Sequence, residues 1–169
     1  MRYIFLLIIA TLLQANINIK SIKADFIQTI TNDQNSTIKY SGTFFAKDNN
    51  RALWIYKKPI KKRLYFLDGK VVIIEPDLEQ VIFSNFKKAP KILEILKSAK
   101  QENGKLLAKC CDTIYNITIK DDKIISVQYK DKVGNKVLIK FKNEDTNIFL
   151  DNTIFKYQIP ADFDIIREN

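Results

Sequence analysis

Residues 54–90 read WIYKKPIKKRLYFLDGKVVIIEPDLEQVIFSNFKKAP, and this stretch decides the fold. Four short apolar runs are divided by Pro59, by Asp68-Gly69 and by Pro76-Asp77, then closed by a basic segment and Pro90. Asp-Gly between two β-rich runs is a hairpin signal, because glycine accepts positive φ and the tight turn matches the twist of its strands. The spacing predicts an antiparallel meander with strands over 52–56, 61–67, 70–75 and 78–84.

The period changes after Pro90, a residue suited to a first helical position. Ile92, Ile95, Leu96 and Ala99 fall at i, i+3, i+4 and i+7, one apolar helical face that Leu93 widens. The pattern predicts an amphipathic helix over 90–101, with Gly104 able to end it. Strand patterns then resume at 106–109, 113–120, 123–130, 136–142 and 153–158. Upstream, 23–31 and 37–46 read as a hairpin across the turn cluster 32–35, and 17–22 as the start of a short helix. A total of about ten antiparallel strands predicts a barrel or a strongly bent half-barrel, with the helix available to cover a cavity.

The chain has 169 residues and a net charge of +9. Met1-Arg2, the apolar run 3–13 and Ala15 form a secretory signal pattern. The expected organisation is a cleavable signal peptide over 1–15 and a single exported domain over 16–169. An exported basic protein suits anionic membrane or an acidic partner better than nucleic acid. The basic clusters Lys57, Lys58, Lys61, Lys62, Arg63 and Lys87, Lys88, Lys91 read first as solvated strand tips, and second as a docking surface.

Histidine is absent, which removes Ser-His-Asp and Cys-His catalysis and most zinc and iron sites. Adjacent carboxylates such as Asp121-Asp122 sit in turn sequence, and no glycine-rich phosphate loop occurs. The chain therefore reads as a non-enzyme that needs no cofactor or metal. The two cysteines are neighbours, Cys110-Cys111. Strand alternation sends neighbouring side chains to opposite faces, so the expectation is one buried and one exposed thiol, with a redox role as the lesser reading. What stands out is aromatic content, 11 Phe, 7 Tyr and 1 Trp. Phe26, Phe44, Phe45, Trp54, Tyr56, Tyr65, Phe66, Phe83, Tyr129 and Phe141 lie mostly on strands. They read as core, with an enclosed apolar pocket as the sharper alternative.

Several motifs together resemble the periplasmic outer-membrane lipoprotein carrier proteins, the Lol lipoprotein chaperones. They are Asp25-Phe26-Ile27-Gln28, Gly42-Thr43-Phe44, Trp54 followed by Pro59, Asp68-Gly69, Pro76 with Leu78-Glu79-Gln80, Pro90 opening a helix, and Phe155 followed by Pro160. The resemblance implies a mainly β, unclosed antiparallel barrel with a helical lid over a hydrophobic cavity. It implies a monomeric periplasmic chaperone that takes triacylated lipoproteins from an inner-membrane ABC transporter and shuttles them to the outer membrane, with an outer-membrane receptor as a further expected partner. Lid helices would correspond to 87–100 and to the region around 17–22. A single-domain sensor of envelope stress with the same half-barrel is the second reading.

The cavity and lid candidates are Phe26, Phe44, Trp54, Tyr56, Phe66, Phe83, Ile92, Leu93, Ile95 and Leu96. The family's lid-latching arginine is replaced here by Asp48, and Lys47 and Arg51 are the neighbouring substitutes. A lid whose apolar face fills the empty cavity would exchange its contacts for acyl chains, each methylene worth about 0.8 kcal/mol on burial.

Overall fold

The computed structural model describes residues 18–67, 69–84, 92–102 and 105–168, the side chain of Ile92 excepted. The expected signal peptide 1–15, Asp68, the basic run 87–91 with Pro90, and Gly104 lie outside the described residues.

The expected meander is present as β3 (Arg51–Lys58), β4 (Lys62–Leu67), β5 (Lys70–Glu75) and β6 (Gln80–Ser84). Gly69 sits at φ 83°, the left-handed value that the Asp-Gly turn requires. Before it come β1 (Ser21–Thr31) and β2 (Thr37–Lys47). After it come α1 (Ile92–Ser98), β7 (Lys100–Glu102), β8 (Lys105–Cys110), β9 (Thr113–Lys120), β10 (Lys123–Lys130), β11 (Lys136–Thr146) and β12 (Asp164–Glu168). All twelve strands form one sheet in the order β12-β6-β5-β4-β3-β2-β1-β11-β10-β9-β8-β7. Every pairing is antiparallel except β12 with β6. The two edges, β12 and β7, do not meet, so the barrel is unclosed.

The degree of curl follows from α1. In the strand order β2 and β8 are five steps apart, about 24 Å on a flat sheet at roughly 4.8 Å per strand. Yet the seven-residue α1 packs against both β8 and β2, and it is only about 10 Å long. The sheet therefore bends around the helix, and the face toward α1 is concave. Strand alternation divides the apolar residues into two clusters. One joins the concave residues of β1–β3 and β8–β11 to Leu93, Ile95 and Leu96 of α1. The other lies on the convex face, where Leu53, Tyr65, Val72, Ile74 and Val81 pack against Leu150 and Phe155.

Three local expectations are corrected. Residues 18–20 are not helical and Ser21 already opens β1, because Ile19 and Ile22 bury into the concave cluster as an extended segment. The helix stops at Ser98 rather than 101, since Lys100–Glu102 pairs with β8. The strand expected over 153–158 is instead a 3-10 turn, Asn152–Phe155, whose Thr153 N–H donates to the Asp151 carboxylate at 2.8 Å. The last strand comes later, at β12, where Asp-Ile-Ile-Arg-Glu has no alternation to announce it.

Candidate functional site

The floor of the concave face is aromatic, and alternation within β1, β2 and β3 puts it there. Phe26, Phe44, Trp54 and Tyr56 project toward α1, and the register sets Phe44 opposite Trp54 and Phe26 opposite Phe141 of β11. The Trp54 ring lies 4.3 Å from that of Phe44 and 4.9 Å, edge on, from that of Phe26. Tyr56 meets Phe26 at 5.0 Å and Tyr40 at 5.6 Å. Edge-to-face rings keep the quadrupoles complementary while excluding water.

Gly42 lets these strands approach. A Cβ there would stand 1.9 Å from the Ile55 carbonyl oxygen and 3.0 Å from the Phe26 ring. Glycine is required at this position by the neighbouring main chain, a reason independent of turn geometry.

One polar pair is built into the floor. The Tyr56 hydroxyl donates to Gln28 Oε1 at 2.9 Å, and burial holds its proton far above the ordinary phenol range. Lys62 closes this end, its Nζ 4.8 Å above the Tyr56 ring and 5.2 Å above that of Tyr40. Such a cation over aromatic faces keeps its charge near water while its stem covers apolar surface.

The cover of the floor is α1. Leu93, Ile95 and Leu96 are each at most 4% exposed and share one cluster with the floor aromatics. Glu94 and Lys97 are exposed. The helix backbone includes Ile92, whose side chain is outside the described residues.

On the convex side of the same strands, Asp25 Oδ1 accepts from Thr43 Oγ1 at 3.1 Å and Oδ2 from Asn143 Nδ2 at 2.9 Å. Lys57 Nζ donates to Thr43 Oγ1 at 3.0 Å. The Asn143 hydrogen bond, ahead of the opposing cost of partial desolvation, holds the Asp25 carboxyl below its usual range. The motifs Asp25-Phe26 and Gly42-Thr43-Phe44 thus alternate between a convex polar clamp and the concave floor.

Of the residues singled out from sequence, Phe26, Phe44, Trp54, Tyr56, Leu93, Ile95 and Leu96 come together. Phe66 lies on the floor face, opposite Ala52 and Val71 in register and half-buried. Phe83 does not join them. It sits on the convex face beside Tyr157, at 6.0 Å, and under Arg167. β5 and β6 are apolar on both faces, so their composition gives no sign of which way Phe83 points.

Lys47 is likewise on the convex side, its Nζ donating to the Leu150 carbonyl at 3.0 Å and to Asn152 Oδ1 at 3.2 Å. Arg51 pairs with Lys47 in register and shares its face. Both cations considered as latches therefore stand across the sheet from α1. Gln28 reaches the floor as the end of the Asp25–Gln28 motif, whereas nothing in the sequence singles out Tyr40, although it lies two and four residues from Gly42 and Phe44 on their face. Among the described residues no cluster of three or more His, Cys, Asp or Glu side chains could hold a metal ion.

The comparisons agree with this geometry. The family model described as outer membrane lipoprotein carrier protein LolA matches residues 17–106. The outer-membrane lipoprotein carrier protein of Campylobacter jejuni is 37% identical over 165 residues, covering 97% of this chain and 96% of that one. The protein of the same name from Helicobacter pylori strain J99 is 36% identical over 154 residues, covering 89% and 82%. A LolA superfamily protein from Nitrosomonas europaea shares the fold with a TM-score of 0.55 at 9% identity, covering 83% of this chain and 91% of that one. An open sheet, an aromatic floor and a match over nearly the whole chain lead to one assignment: the chain belongs to the outer-membrane lipoprotein carrier protein family.

Proposed function

We propose that this protein is a periplasmic chaperone that binds the acyl chains of lipoproteins on the concave floor and carries them to the outer membrane. The observation that carries the reading is the apolar face of α1 seated on the floor aromatics. Three buried side chains of this size contribute roughly 5–9 kcal/mol to seating. An acyl chain contributes about 0.8 kcal/mol per buried methylene, so roughly 6–11 methylenes offset the loss of the helix contacts. The helix then acts as a competing internal ligand. It shields the floor when cargo is absent and yields when cargo arrives, so cargo is held without becoming irreversible.

Triacylated lipoproteins, with three acyl chains, supply that number of methylenes several times over. Release by an inner-membrane ABC transporter and delivery to an outer-membrane acceptor complete the route, with the protein travelling as a monomer after export and removal of the leader. The family is one of carriers, and the floor calls for no catalytic step. A sensor role for the same half-barrel is not favoured, since the relatives that match nearly end to end are named as carriers.

The test is binding of a fluorescent triacylated lipopeptide to the wild type and to Leu96→Ser. Because Leu96 seats the competing helix on the floor, Leu96→Ser should tighten binding roughly tenfold, equivalent to removing about two methylenes of competing contact. Unchanged affinity in a folded variant would remove α1 from the site.

A further inference from the structure

Cys110 and Cys111 do not behave as neighbours in a strand. β8 ends at Cys110, and Cys111 and Asp112 form the hairpin turn to β9 with φ of 53° and 66°. Two successive positive φ values are those of a type I′ turn. The alternation rule therefore stops at Cys110, and the turn swings the second side chain back toward the first. The two Sγ atoms lie 3.0 Å apart, and neither thiol is part of a disulfide.

The surroundings differ on the two sides of the pair. Cys110 packs against the concave cluster, with the Glu94 carboxylate of α1 near enough to act on its charge. Cys111 lines an open groove of about 1150 Å³ whose charged walls are Lys105, Lys130, Lys132 and Lys136 against Asp112 and Asp131, an excess of lysine. One sulfur thus faces the core below the helix, and the other faces an accessible basic groove.

We propose that Cys110 and Cys111 form a reversible redox site, cycling between a dithiol and a vicinal disulfide by exchange with a disulfide-bearing oxidant in the groove. The proposal rests on the periplasmic location in the proposed function, a compartment where disulfides form and persist. In the first step the Cys111 thiolate attacks one sulfur of the oxidant RSSR, forming Cys111–S–S–R and releasing RS⁻. In the second step Cys110 gives its proton to solvent and attacks Cys111 Sγ, expelling the second RS⁻. Two protein thiols are oxidised to one disulfide, and one oxidant disulfide is reduced to two thiols.

The order of attack follows from the environment. Cys111 lines the groove that an oxidant can enter, which makes it the first nucleophile, while burial raises the pKa of the Cys110 thiol packed against the concave cluster. Lysines along the groove favour the approach of anionic thiol compounds. Adjacent Cα atoms are about 3.8 Å apart across a trans peptide, closer than in ordinary disulfides, so the bond is strained and easily reduced. It encloses no loop and removes almost no unfolded-state entropy, so it cannot serve as a staple. Its effect falls on the β8–β9 turn and, through Cys110, on the seat of α1.

The experiment treats the purified, reduced, full chain with oxidised glutathione and follows intact mass and oligomeric state. The expected result is a monomer that loses two hydrogen masses, regains them with dithiothreitol, and binds phenylarsine oxide only when reduced. Cys110→Ser and Cys111→Ser should each lose arsenical binding, and Cys110→Ser should stop at the glutathione adduct. A wild type that accumulates stable adducts or disulfide-linked dimers, or that reacts only when denatured, would overturn the proposal. Lipopeptide binding measured on the same reduced sample separates failure of this site from failure of the carrier reading.

Discussion

The two faces of the sheet are covered in different ways. On the concave side, α1 lies over Phe26, Phe44, Trp54 and Tyr56 through Leu93, Ile95 and Leu96. On the convex side, the segment from Asn147 to Phe163 is stitched down. The Asn147 N–H donates to the Ser21 carbonyl at 2.8 Å, Ser21 Oγ to the Ile148 carbonyl at 2.6 Å, and Lys47 to the Leu150 carbonyl at 3.0 Å. Phe155 is buried beneath it, and β12 then adds a parallel ladder to β6. Apolar contacts are non-directional and can be exchanged for other apolar contacts. Hydrogen bonds to main-chain carbonyls at fixed geometry cannot be exchanged for acyl chains, which have no donors or acceptors. A carrier needs one cover of each kind, a removable one over the cargo site and a permanent one that keeps the other apolar face out of water.

The largest effect that tests this contrast is Phe155→Ala. Truncating a fully buried aromatic should cost about 3–5 kcal/mol, a fall in Tm of about 10 °C, while leaving the affinity of the folded protein for triacylated lipopeptide unchanged. A thermal melt combined with a binding titration checks both. Loss of affinity without loss of stability would make the convex cover part of the cargo site.

Lys47→Ala comes next. Removing the cation from the Leu150 carbonyl and Asn152 should lower stability by about 1 kcal/mol and leave lipopeptide release rates at the wild-type value. Faster release would instead show a latch acting across the sheet.

The smallest effect falls on neither cover. Glu144 is buried at a bulge in β11 where β1 shifts register, with Oε2 accepting from the Ile124 N–H at 3.0 Å and Oε1 without a hydrogen-bond partner among the described residues. Burial, the dominant influence, raises its pKa. A folded-state pKa above the unfolded value means that the stabilising contribution is fully present below the unfolded pKa. It is lost as pH rises through the folded pKa. Glu144→Gln should therefore raise Tm at pH 7, and the gain should shrink as pH falls into the range of an ordinary carboxyl. A gain that is constant across that range would show that charge burial is not the cause.

The contrast between the faces was half legible in the chain. The meander, its Asp-Gly turn and the amphipathic α1 follow from periodicity and turn chemistry, and Phe26, Phe44, Trp54 and Tyr56 read as strand aromatics, which the register gathers on one face. The convex cover was not legible. Its pieces, Ile148, Leu150, Ile154, Phe155 and Ile159, have no strand or helix period, because an irregular strap is placed by hydrogen bonds to distant residues rather than by its own pattern. Phe83 went to the wrong face for a related reason, since strands that are apolar on both sides carry no orientation signal. The cysteine pair shows a third limit. Alternation applies inside a strand, and one residue past its end the turn dictates direction instead.

The central claim, that acyl chains displace α1 from the aromatic floor, has a direct probe, because Trp54 is the sole tryptophan of the chain and lies in that floor. The measurement is Trp54 fluorescence during titration with a triacylated lipopeptide whose acyl chains carry bromine, a contact quencher. The account predicts quenching that saturates at one lipopeptide per chain and is absent with the unbrominated peptide. Saturable binding with Trp54 emission unquenched would place the cargo elsewhere and contradict it.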